Sequence, residues 1–258
     1  FDDRSRVLRT ITALLILVFF TFYASSGFVA TGRLFESLFG MHYHDAMLWG
    51  SFVMLAYTFF GGFLAVSWSD VLQGSLMFIA LVMVAAMGIA MTGGLGDMTA
   101  ALEARNPALL DPFVGGDGQA IGWIGVLSLV AWGLGYPGQP HILARFMAIR
   151  SPGEMPTARR VAMGWVIVVL VAAIIVGMAG VLLLDPPLAG PDSEKVFIVM
   201  SGKYLHPVLA GICMSGILAA IMSTASAQLL VASSAFAEDF YKGIFRRNPG
   251  RAELLWVG

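Results

Sequence analysis

Apolar residues run along this chain in long blocks, and charged residues appear only between them. Arg9 and Arg33 enclose 23 uncharged residues, Asp45 and Asp70 enclose 24, and Asp70 and Asp97 enclose 26. Runs of 27, 24 and 34 follow, bounded by Asp117 and Arg145, Arg160 and Asp185, and Lys203 and Glu238. A helix rising about 1.5 Å per residue crosses about 30 Å of hydrocarbon with about 20 residues. The runs lack the strict alternation of spanning strands, and backbone in lipid must satisfy its own hydrogen bonds. The pattern therefore predicts an all-α multi-pass membrane protein with six transmembrane helices. Their approximate spans are 8–32, 46–66, 70–93, 120–148 (broken near 135–140), 161–184 and 205–237. Val66–Val71 is expected to be a minimal loop that makes spans two and three a tight hairpin. A short amphipathic helix is expected around Met98–Arg105, within the longest polar stretch.

Composition agrees with lipid as the solvent. Of 258 residues, 58% are hydrophobic and 12% charged, with a mean hydropathy of +0.82, whereas soluble domains are roughly a quarter charged. Fifteen Lys and Arg against sixteen Asp and Glu leave no basic excess for a nucleic acid. The lone Cys213 excludes an internal disulfide framework. No glycine-rich phosphate loop occurs, no run contains the buried acids of a proton relay, and His42 and His44 lack further ligands nearby. The reading is a non-enzyme without a cofactor.

Alternating helices place every second loop on one side. Eleven of the fifteen cations then share a side, among them Arg4, Arg6, Arg9, Arg145, Arg150, Arg159, Arg160 and Lys242. The positive-inside rule makes that side cytoplasmic and puts both ends of the chain there. Without an initiating methionine, and with Gly258 following closely on a basic segment, the chain is expected to be an internal piece of a longer membrane protein.

Three runs break their own rules. The fourth contains Trp132-Gly133-Leu134-Gly135-Tyr136-Pro137-Gly138-Gln139-Pro140, whose prolines delete donors and whose glycines disfavour helix. Unwound backbone inside a bilayer is tolerated where it lines a polar cavity, and transporters use such breaks to hold ions and small solutes. A simple kink near the interface is the alternative. In the sixth run Ala220, Ser223 and Thr224 share a small face carrying two hydroxyls, suited either to a cation or merely to helix packing. Tyr23 lies deep in the first run and needs a polar partner. Asp70 opens the third span, either as favourable charge at a helix start or as a cation stop at the cytoplasmic mouth.

The stretch Trp132–Pro140, continued by His141 and by Ala144-Arg145-Phe146-Met147-Ala148, resembles the sodium/solute symporter family, on its sodium/proline side. Phe60-Gly61-Gly62-Phe63 through Trp68-Ser69-Asp70 fits the same group, as do Leu218-Ala219-Ala220-Ile221-Met222-Ser223-Thr224-Ala225-Ser226 and Glu238-Asp239-Phe240-Tyr241-Lys242. The resemblance implies the inverted-repeat, LeuT-like transporter fold, here incomplete, with the six spans matching core helices three to eight of ten. It implies sodium-coupled uptake of a small organic solute, L-proline before others, across the plasma membrane, the bacterial inner membrane. Sodium would be the coupling ion, held by Ala220, Ser223 and Thr224 together with residues of an absent helix. The solute would meet Trp132, Tyr136, Pro140 and Tyr23, and Asp70 would line the inner cation path. Pro137 departs from the aromatic common in proline symporters, which leaves other solutes open. A membrane sensor domain of a signalling protein is the reading from another class.

Overall fold

The computed structural model describes residues 7–115, 118–245 and 249–258. Arg4 and Arg6, used above for topology, and Asp117, which bounds the fourth run, lie outside these residues. The described chain is helical nearly throughout, and its one β-type pairing is an isolated bridge between Val114 and Ala120. The main helices are α1 (Val7–Phe39), α2 (Tyr43–Met91), α3 (Leu95–Arg105), α4 (Trp123–Gly135), α5 (Pro140–Met147), α6 (Met155–Leu183), α7 (Val196–Tyr204) and α8 (Pro207–Ser234). A π-helix, Ala235–Phe245, extends α8, and α9 (Arg251–Val257) ends the chain.

Four helical stretches among the described residues are long and apolar enough to cross a bilayer: Val7–Phe39, Tyr43–Met91, Pro152–Leu183 and Pro207–Gly243. The difference from six lies in two places. α2 contains both the second and third apolar runs, while the fourth run is split into α4 and α5, neither of which is long enough alone.

The expected loop at Val66–Val71 is not there; those residues are helical. The helical path of α2 is broken instead at Gly62, with φ 55° and ψ −155°. This region of backbone space is essentially closed to residues with a Cβ. Asp70 marked a polarity boundary, but a break in a helix needs a residue that can take the conformation, and Gly62 is that residue. At about 1.5 Å per residue, Tyr43–Gly61 measures about 28 Å and Phe63–Met91 about 43 Å, each enough for one crossing. Gly62→Ala is expected to cost about 1–3 kcal/mol and to lower the thermal midpoint of the purified full-length protein. Gly164→Ala, within α6 where nothing lies within 4 Å of an added methyl, is expected to leave the midpoint unchanged or raise it. Equal midpoints for the two variants would refute the strain argument.

The chain divides into two compact units, Phe1–Gly74 with Leu218–Gly258, and Ser75–Ile217. In the second, Val84, Met98, Leu102, Val176, Ala179 and Met200 belong to one buried core. Small residues bring backbones close there: a methyl group on Gly88 would lie 2.7 Å from the Ala179 Cβ, and one on Gly180 would lie 2.2 Å from Val196 Cγ2. The amphipathic helix α3 buries Met98 and Leu102. Its Arg105 donates to the Val181 carbonyl at 2.6 Å, placing a cation against the C-terminal end of α6.

In the first unit α1 packs on α8 and on its π-helical extension. A methyl group on Gly27 would stand 3.2 Å from the Ala225 Cβ, so these helices meet through small residues. Arg9 pairs with Asp239 at 2.6 Å and donates to the Glu238 carbonyl at 3.0 Å. Large apolar side chains elsewhere remain exposed, among them Phe22, Phe60, Trp123 and Leu134. Such a surface is costly in water and suits contact with lipid.

Candidate functional site

The face of α8 that meets α1 carries Ala220, Thr224 and Gln228 at successive four-residue intervals, with Ile221 and Ala225 alongside. α1 answers with Tyr23, Ser26, Gly27 and Ala30, again spaced as one helical face. Together these residues line an open cavity of about 280 Å³. Its wall is mostly small or apolar, with a few polar groups converging on it, as in a small-solute or ion site.

Those polar groups differ in what already occupies them. Hydroxyls along α1 bond back to their own helix, Thr21 to Leu17, Ser25 to Thr21 and Ser26 to Tyr23, as Thr58 of α2 does to Met54. Ser223 does so too, donating to the Ala220 carbonyl at 3.1 Å, and Ser226 donates to the Ser223 carbonyl at 3.2 Å. The Thr224 hydroxyl makes no hydrogen bond among the described residues and lines the cavity. A hydroxyl that has donated its proton still presents oxygen lone pairs, so Ser223 retains acceptor capacity as well. Ser223 is not among the residues lining the cavity, although it shares the turn with Thr224.

Gln228 was not singled out in the sequence. It is 2% exposed, and its Oε1 has no hydrogen-bond partner among the described residues. An unmade bond to a buried amide costs about 1–3 kcal/mol, so a buried amide oxygen without a partner beside a cavity calls for an explanation. The signal was present in outline, because Gln228 continues the Ala220–Thr224 stripe by one turn.

The remaining candidates fall elsewhere. Tyr23 is brought to the cavity beside Ala220 and Thr224. Trp132, Tyr136 and Pro140 belong to the second unit. There α4 stops at Gly135, Tyr136–Gly138 form a single 3₁₀ turn, Gln139 is extended, and α5 begins at Pro140. Tyr136 is partly exposed on that turn; the Trp132 side chain lies outside the described part of the structure. Asp70 is half-buried within α2, near enough to Tyr57 to act on its hydroxyl electrostatically. Among the described residues no three His, Cys, Asp or Glu gather as metal ligands.

Comparison with known proteins decides the family. The model of the sodium:solute symporter family matches residues 1–258. The chain belongs to that family. This symporter-family chain is 47% identical over its whole length to a sodium/proline symporter of Escherichia coli, covering 51% of that protein. It is 46% identical to the high-affinity proline transporter PutP of Bacillus subtilis, covering 54%, and 44% identical to the osmoregulated proline transporter OpuE of the same species, covering 52%. The chain thus spans about half the length of the curated relatives it matches. The match to these transporters extends over the whole chain.

Proposed function

We propose that the chain forms the central part of a symporter that uses the sodium gradient to take up a small organic solute, L-proline before others, across the plasma membrane. The observation that carries this reading is the cavity between α1 and α8, where Tyr23 stands beside Thr224, whose hydroxyl is not spent on its own helix. Ala220, through its carbonyl, and Thr224, through its hydroxyl, supply part of a sodium shell there, joined by the Ser223 hydroxyl from the same turn of α8. Tyr23 in this cavity is assigned to the solute; Trp132, Tyr136 and Pro140, which belong to the other unit, are assigned to it by the family resemblance alone. The similarity to three proline transporters supports proline as the solute. Asp70 serves the inner cation path, with both described ends of the chain in the cytoplasm. The Arg9–Asp239 pair supports the shared side, since it joins the start of α1 to the segment following α8.

Two bound species bias one conformational equilibrium, and the coupling is reciprocal: sodium tightens solute binding by the same factor as solute tightens sodium binding. The test uses the full-length protein in liposomes with labelled L-proline inside an imposed inward sodium gradient. Accumulation that collapses when potassium replaces sodium is the expected result. Uptake indifferent to sodium would overturn the proposal, and unlabelled pantothenate or a sugar competing better than proline would reassign the solute. Trp132→Ala is expected to raise the half-saturating proline concentration more than the half-saturating sodium concentration. An equal loss of both would instead indicate collapse of the fold.

A further inference from the structure

Tyr57 reaches the proposed sodium turn from α2, outside the cavity lining. It lies on the first part of α2, between Tyr43 and the break at Gly62, and is half-buried. Its hydroxyl donates to the Met222 carbonyl at 3.3 Å, a contact between residues 165 positions apart in the chain. Met222 immediately precedes Ser223 and Thr224. Ser226, fully buried one turn further on, stands beside the same hydroxyl, as do Gln73 and Thr58. The Met222 carbonyl already serves the helix of α8, and a carbonyl has two lone pairs, so Tyr57 occupies the second without breaking the ladder.

α8 is therefore held at one level from two directions. Close contact of Gly27 with Ala225 fixes it against α1, and the Tyr57 bond fixes it against α2. Rotation or sliding of α8 moves the Ser223 and Thr224 oxygens, and an alkali cation needs several oxygens converging on one point. Tyr57 does not line the cavity, so any effect on the ion passes through α8. Resting on the reading of Ser223 and Thr224 as sodium ligands, we infer that Tyr57 is a positioning residue that sets the register of the sodium turn.

The experiment compares Tyr57→Phe with Thr224→Ala in the full-length protein, measuring proline uptake across sodium concentrations and normalising to transporter present in the membrane. Tyr57→Phe keeps the ring and removes one hydrogen bond, for which the expected rise in half-saturating sodium is about three- to tenfold. The maximal rate per transporter and the half-saturating proline at saturating sodium are expected to hold. A packing defect would lower abundance without moving the sodium value. An unchanged sodium value in Tyr57→Phe while Thr224→Ala shifts overturns the positioning role alone. No shift in Thr224→Ala removes the sodium reading beneath it. Complete loss of uptake in Tyr57→Phe also counts against the inference, because a residue acting only through α8 leaves the site assembled.

Discussion

Thr224→Ala in the full-length transporter is expected to raise the sodium concentration for half-maximal proline uptake by roughly ten- to a hundredfold. The magnitude follows from removing one oxygen that faces a charge, an interaction worth about 1.5–3 kcal/mol. The structure makes Thr224 the sharper choice over its neighbour. Its hydroxyl lines the cavity with no hydrogen bond among the described residues, whereas the Ser223 hydroxyl is already donated to the Ala220 carbonyl. Thr224→Ser keeps the oxygen and should stay within about threefold of the parent, losing only a methyl contact. Sodium dependence is read from initial uptake rates at fixed proline. An unshifted curve for Thr224→Ala would end the assignment.

Gln228→Leu is the second large expected effect, and here stability and function should part. The Gln228 Oε1 is buried without a partner among the described residues. Replacing such a group by an apolar side chain of similar size removes an unpaid desolvation cost, so the folded protein should be no less stable. Transport should nonetheless fall, with half-saturating proline and half-saturating sodium both rising by tenfold or more. Both move because Gln228 lines a cavity proposed to serve both ligands, and their binding is linked. Membrane abundance and thermal midpoint are measured beside the uptake curves. Normal transport in a stable Gln228→Leu protein would make the amide a packing element only.

Much of this was legible in the order of residues, and the failures have definable causes. Uncharged runs longer than a bilayer crossing announce helices whatever the tertiary context, since lipid leaves the backbone no other partner. Glycine and proline between Gly133 and Pro140 announced the break that separates α4 from α5. The break between the second and third runs was misplaced because charge was read as a marker of turns. Charge reports where polarity changes, while the conformation at Gly62 reports where the backbone can depart from helix. The adjacent pair Gly61-Gly62 was the better sign. Spacing could put Gln228 on the Ala220–Thr224 stripe, but not show that it lacks a partner, nor that Tyr57 finds one 165 residues away. A single sequence displays neither relation.

The pairing of Arg9 with Asp239 bears on how such a protein could open and close. α1 is fastened to the α8 segment at two levels, by this ion pair near one end and by the Gly27–Ala225 approach beside the cavity. Two contacts at separated levels restrict the parting of these helices more than either does alone. The cavity they line therefore has a joined back wall, and a ligand would enter or leave by its open face.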